Sequence, residues 1–419
     1  MRRRRARCRW CHGLPLFLAL IGITVVGYGL LLALHQPLVQ LELVPNVFHG
    51  PVAVTDVRPP RAHHAPVAVL NVDEQSLCAG RLVAYGRQFA RLTNAVIDRR
   101  FCRSDREGGE PIDAVINQPE SVEYYYVDRG CFRLACPSNS SVAGSRVDYA
   151  FAGAQNHLNA WLLGLQLTSV DAASSDVDSR PRFTVAVTRY EYANLYHTMT
   201  DWYNAFLLLC FFNETSDSTD ILFVDSHPRG ALDPVWRRLF RRTTRLSDLP
   251  SDRPTSFGQL VWGWLGYNSL MTVYQSLPTP PLVEEFRDFF LSAYGLSSAP
   301  ATVRGGQQRP DCVGMRLSIL FIWRRDYVAH PRNPRGSVTR KIANEDELLR
   351  RVSSQLPEAR VRGVQIDLYT MDEQLRLILG ADILIGECHI LCDEYSAMIE
   401  LYHHHQHNIL WCASCKSEH

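Results

Sequence analysis

Short apolar runs alternate with amphipathic segments over the second half of the chain, and this alternation restricts the fold more than any other feature. Such runs are typical of buried parallel strands, and segments with a 3.6-residue apolar period are typical of helices. Strands are predicted at 183–188, 220–224, 316–323, 364–369 and 382–385. Helices are predicted at 195–212, 281–294, 345–355 and 371–379. The alternation predicts an α/β protein.

The first residues of the chain form a separate kind of sequence. Six arginines precede residue 10, and an uncharged run of 21 residues covers 14–34. As a helix this run would be roughly 31 Å long, which is enough to cross a bilayer. Because basic residues stay on the cytoplasmic side, we expect a cytoplasmic tail at 1–13, a transmembrane signal-anchor at 14–34 and a lumenal remainder. The alternative is a signal peptide that is removed, although its apolar core would be shorter.

The remainder is long enough for more than one core. Residues 35–66 are interrupted by prolines without a clear period, which is typical of a stem. The part from residue 67 exceeds what one small core can organise, so two lobes are predicted, at 67–300 and 301–419. Without the six leading arginines the 43 acidic residues outnumber the basic ones. The charge therefore gives no reason to expect a nucleic-acid partner.

The 12 cysteines fit a secretory location. Those beyond the apolar run are interpreted as disulfide-forming rather than metal-binding, because the compartment would be oxidising. Local pairs Cys78/Cys102 and Cys131/Cys136 are predicted, although spacing does not fix the connectivity. Cys8 and Cys11, on the cytoplasmic side, are candidates for palmitoylation.

Two sequence motifs match acceptors of N-linked glycans. They are Asn139-Ser-Ser and Asn213-Glu-Thr. A glycan at either site requires an exposed side chain in a secreted protein.

The segment after the first predicted strand places His197 and Asp201 four residues apart on the predicted helix. Residues at this spacing share one helix face, and α/β proteins bind ligands just past the carboxyl ends of their strands. The pair is therefore predicted to be catalytic, with a structural hydrogen bond as the alternative. The aromatic residues nearby are either core or the lining of a sugar site: Tyr190, Tyr192, Tyr196, Trp202 and Tyr203.

A basic cluster follows the strand predicted at 316–323. Its members are Arg324, Arg325, Arg332, Arg335, Arg340 and Lys341. Guanidinium groups bind oxyanions such as a diphosphate bidentately, and a helix that begins nearby adds its amino-terminal dipole. Asn344, with Glu347 three residues later, resembles a capping box for that helix. The alternative is a solvated basic loop.

Two groups of possible metal ligands are interpreted as holding no metal. Asp176 and Asp178 follow a Ser/Ala-rich segment rather than a buried strand, and carboxylates that bind a metal need a rigid mount. The cysteines and histidines between 388 and 415 are irregularly spaced, which argues against a zinc site. The sequence predicts no metal site and no cofactor.

Two stretches resemble glycosyltransferase family 61, and most closely its plant-type N-glycan core β-1,2-xylosyltransferases. One is Tyr-Glu-Tyr-Ala-Asn-Leu-Tyr-His-Thr-Met-Thr-Asp-Trp-Tyr at 190–203, and the other is Trp-Arg-Arg-Asp-Tyr-Val-Ala-His-Pro-Arg-Asn-Pro at 323–334. The resemblance implies a GT-B fold of two Rossmann-like lobes, with the N-terminal lobe on the acceptor side and the C-terminal lobe binding the nucleotide sugar.

The resemblance also implies an activity. UDP-xylose would be the donor and the core β-mannose of an N-glycan the acceptor, with inversion at the anomeric carbon and no required metal. A Golgi membrane location with a lumenal catalytic part would follow. The alternatives are another family 61 enzyme, such as a protein O-GlcNAc or xylan-decorating transferase, or a catalytically silent Golgi glycan-binding protein.

Site residues are carried over from the resemblance. Asp201 is expected to be the general base on the mannose 2-hydroxyl, with His197 orienting it or sharing that role. The acceptor is expected to be bound by Asn194, Tyr196 and Trp202. The donor is expected to be bound by Arg324, Arg325, Arg340, His389 and Glu400, with Glu400 accepting hydrogen bonds from the ribose.

The segment from 385 to 401 departs from the family pattern. It lacks the glycine-rich loop expected ahead of Ile399-Glu-Leu, and the interval is shorter. Because glycines let the backbone approach a phosphate closely, we expect altered donor binding in a C-terminal lobe that is truncated relative to the family. His389 stands one place beyond the family histidine.

Overall fold

A computed structural model describes residues 74–86, 88–137, 156–169, 178–263, 269–273, 280–296, 316–325, 330–332, 341–386 and 409–412. All of these belong to one compact unit, Asp56–His419. The predicted cytoplasmic tail, signal-anchor, stem and lobe boundary lie outside the described ranges. Within those ranges no helix combines the length and the apolar character needed to span a membrane.

The described secondary structure consists of strands, α-helices and short 3-10 helices. The strands are β1 (Glu74–Leu77), β2 (Leu82–Tyr85), β3 (Phe89–Ile97), β4 (Cys102–Arg103), β5 (Tyr126–Val127), β6 (Phe132–Cys136), β7 (Leu165–Ser169), β8 (Asp178–Val187), β9 (Asp220–Phe223), β10 (Arg242–Arg245), β11 (Thr255–Trp262), β12 (Ser318–Trp323), β13 (Arg360–Gln365), β14 (Ile383–Gly386) and β15 (Ile409–Cys412). The α-helices are α1 (Asn156–Leu163), α2 (Leu195–Phe212), α3 (Asp233–Leu239), α4 (Leu270–Val273), α5 (Val283–Ala293), α6 (Glu345–Gln355) and α7 (Met371–Leu379). The 3-10 helices are Cys78–Gly80, Arg99–Phe101, Ile112–Ala114, Glu120–Glu123, Leu246–Asp248 and Ile366–Leu368.

Two sheets dominate the described part. The first has the order β1-β2-β3-β11-β8-β9-β10, with β6 also paired to β3 and β7 to β6. In it β8 is parallel to β9 and β11, whereas β3 is antiparallel to β11. The second sheet has the order β13-β12-β14-β15 and is parallel throughout. The predicted α/β class is confirmed. The first sheet is mixed, however, because the antiparallel pairings of residues 74–136 were not predicted from the sequence.

The sequence located the buried parts of the central strands β8 and β12, although β8 begins at Asp178, ahead of its predicted start at 183. β8 lies between β9 and β11, and its residues 183–187 are all buried. Five of the six residues of β12 are buried as well. A strand covered on both faces has a continuous apolar run, which is visible in the sequence. β13 lies at the edge of the described sheet and its residues alternate in exposure, so it carries no continuous apolar run. The bounds predicted for this strand, 364–369, are wrong, because β13 ends at Gln365 and a 3-10 helix follows.

Helix α2 has the bounds that the sequence predicts. Its side chains are apolar around most of the circumference, and residues 198–209 are all buried, as expected for a helix inside a core. The Asn194 side chain accepts a hydrogen bond from the His197 N–H at 3.2 Å and caps the amino end. Asn213 ends the helix in the left-handed region (φ 53°), which asparagine tolerates better than most residues.

The capping box predicted at Asn344 is wrong, although α6 has the predicted bounds. The Asn344 side chain makes no capping hydrogen bond. The carboxylate of Glu347 instead pairs with Arg350 and Arg351 on the outer face of the same helix. A capping box does form at α7, where Thr370 and Glu373 exchange hydrogen bonds.

The disulfides correct the predicted local pairs. Cys78 is bonded to Cys136, and Cys102 is bonded to Cys131. The reason is the antiparallel pairing of β6 with β3, in which Phe132 lies opposite Ile97. This brings the start of β6 near the end of β3, so cysteines distant in sequence become neighbours.

One cluster of buried apolar side chains includes residues from both sheets. Phe206 of α2 and Phe286 of α5 belong to it, together with Ile322 of β12 and Leu375 of α7. The carboxyl ends of β8 and β12 are therefore parts of one packed body, and loops that follow them are built on a rigid support.

Candidate active site

A cleft of about 770 Å³ opens where the carboxyl ends of β8, β12 and β13 come together. Its volume is within the range typical of small-molecule sites, and its position is the one that α/β proteins use for ligands. The lining residues are Glu120, Tyr190, Glu191, Ala193, Asn194, Leu195, His197, Ala231, Leu232, Val235, Trp323, Arg324, His330, Arg332, Ile366, Asp367, Leu368, Tyr369, Thr370, Met371 and Gln374.

His197 lies on the wall of this cleft, in the first turn of α2. Its ring makes edge-on contacts with Tyr190 at 4.5 Å and with Tyr196 at 5.3 Å between centroids. Burial lowers the pKa of His197 below its ordinary value, and the charge of Glu191 opposes this only in part. The imidazole is therefore neutral near pH 7, which is the form that accepts a proton.

Asp201 lies behind the wall rather than on it. Its side chain belongs to the protein interior, at 1% exposure, and Oδ2 accepts a hydrogen bond from the Tyr190 N–H at 2.9 Å. The carboxylate thus holds the segment that leaves β8. The helical spacing of His197 and Asp201 is as predicted, but this geometry does not support direct contact between Asp201 and an acceptor hydroxyl.

The three predicted acceptor residues have three different positions. Asn194 lines the cleft while it caps α2. Tyr196 is half-buried against the His197 ring. Trp202 is fully buried in the core and packs on Trp236 and Phe290, so it does not face the cleft.

Of the two neighbouring arginines predicted to bind the donor, only Arg324 lines the cleft. Its Nε is buried without a hydrogen-bond partner among the described residues. Arg325 points away, is exposed, and pairs with Glu345 at 2.5 Å. A guanidinium that lines a cleft is suited to an anionic ligand, so Arg324 is the stronger candidate of the two.

Several predicted residues belong to segments outside the described ranges. Arg340, His389, Glu400, Asn139 and Asp176 lie outside the described residues, as does most of the cysteine and histidine tail. Asn213 is described and exposed, which is what a glycosylated asparagine requires, and the glycan itself stays a prediction. Within the described ranges no group of three or more His, Cys, Asp or Glu side chains is arranged to hold a metal.

A charged cluster on the cleft wall was not predicted. Glu191 accepts hydrogen bonds from His330 Nε2 and Arg332 Nη2, both at 2.9 Å. Arg332 also pairs with Glu120 at 2.9 Å and lies 3.7 Å from Glu123. Glu191, His330 and Arg332 lie within the two quoted stretches, whereas Glu120 and Glu123 lie far from both. Nothing in the sequence signals that Glu191 and Arg332, 141 positions apart, meet.

Burial alone would raise the pKa of Glu191. The hydrogen bonds from His330 and from the Tyr192 N–H outweigh it, together with the charges of His330 and Arg332, and lower that pKa to about 2. Glu191 is therefore a permanent anion at neutral pH and a poor acceptor of protons.

Deeper in the first sheet the charges are completely enclosed. Arg189, at the end of β8, is fully buried and pairs with Asp225 at 2.6 Å and Asp233 at 2.8 Å. Next to it, His227 and Glu123 form a buried pair at 2.9 Å. These contacts fix the backbone just before Tyr190 and support the cleft from behind.

The fold and the cleft define an α/β protein with a neutral imidazole and a guanidinium at the carboxyl ends of its parallel strands. Two curated proteins resemble the chain, which confirms the resemblance predicted from the sequence. "Beta-1,2-xylosyltransferase RCN11" of Oryza sativa subsp. japonica is 27% identical over 314 residues, covering 67% of this chain and 55% of the relative. "Beta-1,2-xylosyltransferase" of Arabidopsis thaliana is 26% identical over 234 residues, covering 48% and 42%. The chain spans about half the length of these relatives, and no family model matches it.

Proposed function

We propose that the chain is an inverting glycosyltransferase that transfers xylose from UDP-xylose to the core β-mannose of N-glycans, in β-1,2 linkage. The similarity to the two plant proteins supports the activity class. The observation that carries the proposal is the cleft that presents Arg324 and His197 together. One supplies positive charge for a departing nucleotide, and the other a neutral base for an acceptor hydroxyl.

In this reaction the donor diphosphate binds at Arg324. Negative charge develops on the departing UDP as its bond to the xylose breaks, and a fixed guanidinium stabilises that charge. Arg340, His389 and Glu400 would complete the donor site on the basis of the family resemblance. No divalent metal is then required for charge neutralisation.

On the acceptor side, His197 takes the proton from the attacking mannose hydroxyl. The general-base role first given to Asp201 passes to His197, because Asp201 is enclosed and its Oδ2 is hydrogen-bonded to the backbone. Asp201 acts indirectly by holding Tyr190 beside the His197 ring. Asn194 and Tyr196 remain the proposed acceptor contacts.

The location proposed is the Golgi membrane, with the described part in the lumen and a GT-B arrangement of the two sheets. Two disulfides among the described cysteines are in keeping with an oxidising compartment. The leading arginines and the apolar run at 14–34 provide the type II anchor.

The test uses the full chain with UDP-xylose and an N-glycan that lacks core xylose. Mass spectrometry should show addition of one pentose, and proton NMR should show a β linkage to the mannose 2-position. A donor panel that includes UDP-GlcNAc separates this activity from that of another family 61 transferase. Absence of pentose transfer, under conditions in which one of the plant relatives is active, would refute the proposal.

A silent glycan-binding protein is the second candidate, and the altered segment at 385–401 favours it. Titration calorimetry discriminates the two. Binding of the N-glycan without binding of UDP supports the silent protein, whereas binding of both supports the enzyme.

A further inference from the structure

We infer that Glu191 is a positioning residue that fastens the His197 wall of the cleft to the segment after β12, so that the acceptor base and the donor guanidinium keep one fixed separation. This inference rests on the proposed function. It concerns a residue that none of the expected catalytic or binding roles includes.

The carboxylate of Glu191 receives hydrogen bonds from both sides. From its own segment, the N–H groups of Tyr192 and Ala193 donate to Oε1 at 2.7 and 3.2 Å. From the other side, His330 Nε2 donates to Oε1 and Arg332 Nη2 to Oε2, both at 2.9 Å. One side chain therefore shapes the loop that leads into α2 and also binds the chain that leaves β12.

The partner segment is attached at further points. Arg332 reaches Glu120 with its other terminal nitrogen, and the Pro331 carbonyl accepts a hydrogen bond from the Asn117 N–H at 3.3 Å. The His330 ring contacts Tyr192 edge-on at 5.3 Å. Residues 330–332 are thus held against residues 117–123 and 191–192, and Glu191 accepts hydrogen bonds from both His330 and Arg332.

The charges around Arg332 and Arg324 indicate which of these two arginines is structural and which can bind a ligand. Arg332 lies within 4 Å of three carboxylates, those of Glu120, Glu123 and Glu191. Its positive charge is therefore neutralised by these carboxylates, although its Nη1, like the Nε of Arg324, makes no hydrogen bond in the described part. Arg324 forms no ion pair with a carboxylate of the described residues. Arg332 is suited to hold the wall, and Arg324 is suited to hold a diphosphate.

Loss of this attachment should reduce turnover more than donor affinity. A displacement of about 1 Å in a catalytic group costs up to about 10²-fold in rate. Glu191→Gln keeps an oxygen that can accept from Tyr192 and Ala193, but it removes the negative charge that pairs with Arg332. We expect kcat/KM for the acceptor to fall about 10²-fold in Glu191→Gln, mainly through kcat, while the Kd for UDP stays within about threefold because Arg324 is untouched.

The matched control is Asp220→Asn. The Asp220 side chain is buried to the same degree as that of Glu191, at 10% against 9% exposure, and it binds Arg241. It lies in the first residue of β9, away from the residues that line the cleft. This variant should lose stability without a change in kcat/KM. If kcat/KM fell equally in the two variants, Glu191 would have only a structural role and the inference would be overturned.

Amide hydrogen exchange tests the attachment without any substrate, so it remains informative if the proposed activity fails. Arg332→Gln removes no hydrogen bond from the N–H groups of Tyr192 or Ala193. If the two segments are coupled, it should nevertheless raise exchange in residues 190–195 by about tenfold, the effect expected on loss of one charge-assisted hydrogen bond. Unchanged exchange there would show that the segments are independent and would overturn the inference. Absence of pentose transfer by the unsubstituted protein would instead count against the proposed function.

Discussion

The two walls of the cleft, one next to the first sheet and one next to the second, differ in the burial of their ion pairs. On the first-sheet wall, ion pairs such as Arg189–Asp225 and Glu123–His227 are enclosed in the protein. On the second-sheet side, pairs such as Arg325–Glu345 and Arg376–Asp372 are exposed. Enclosed pairs require exact geometry to offset desolvation, whereas exposed pairs contribute little. The first wall is therefore preorganised, and in the proposed reaction it is the acceptor side. The second wall presents Arg324 to the proposed donor.

The largest effect should follow from removing His197, the proposed base on the first wall. His197→Ala is expected to lower kcat by about 10²–10⁴-fold, the usual contribution of a general base. UDP affinity and the free energy of unfolding should change little, because the ring sits on the cleft wall. Steady-state kinetics, calorimetry and denaturation measure these three quantities. A loss in kcat below about tenfold would show that another group accepts the proton.

The enclosed pairs themselves should be nearly as sensitive. Arg189→Leu leaves Asp225 and Asp233 buried without their cation, which should lower the free energy of unfolding by about 3–5 kcal/mol. The matched control is Arg376→Leu, which breaks the exposed pair with Asp372 on α7 and should leave the urea midpoint unchanged. Similar midpoints for the two variants would contradict the contrast between the walls.

The sequence located the elements of both walls but not their interior. β8, β12 and α2 were predictable because each carries a local, nearly continuous apolar run. The separation of His197 from Asp201, one on the wall and one behind it, depends on what covers each face of α2, which local pattern does not record. The disulfide partners and the Glu191–Arg332 pair join residues far apart in sequence, so only the folded chain shows them.

A substitution on the second wall should change the affinity for UDP. Arg324→Ala is expected to weaken UDP binding about tenfold or more, since a charge-assisted hydrogen bond to phosphate is lost. Arg325→Ala is the matched control, because this neighbour is exposed and pairs with Glu345. Calorimetry with UDP gives both values. Equal effects at the two positions would mean that Arg324 has no special role in the cleft.

The pH dependence tests the first wall in the intact protein. Burial lowers the pKa of His197, so the neutral base is lost only as pH falls through a value below the ordinary 6.5. Below that point kcat/KM should drop about tenfold per pH unit. Because the pKa of His197 is lower in the folded protein than in the unfolded chain, the unfolded chain binds the proton more readily. The free energy of unfolding should therefore fall as the pH drops below 6.5. An acid limb centred above pH 6.5 would instead show that Glu191 stabilises the imidazolium.

The smallest effect should come from removing metal ions, which tests the second wall. A departing UDP needs positive charge, and either a divalent cation or a fixed guanidinium can supply it. With Arg324 at the cleft, excess EDTA should leave the transfer rate within about twofold, and added Mn²⁺ should raise it no further than that. The Arg324→Ala variant sharpens the test, because Mn²⁺ should stimulate it more than the unsubstituted protein if cation and guanidinium serve the same charge. If EDTA abolished transfer and Mn²⁺ restored it, the role of Arg324 would have to be withdrawn. Asp176→Asn and Asp178→Asn would then be the first variants to examine for loss of the metal.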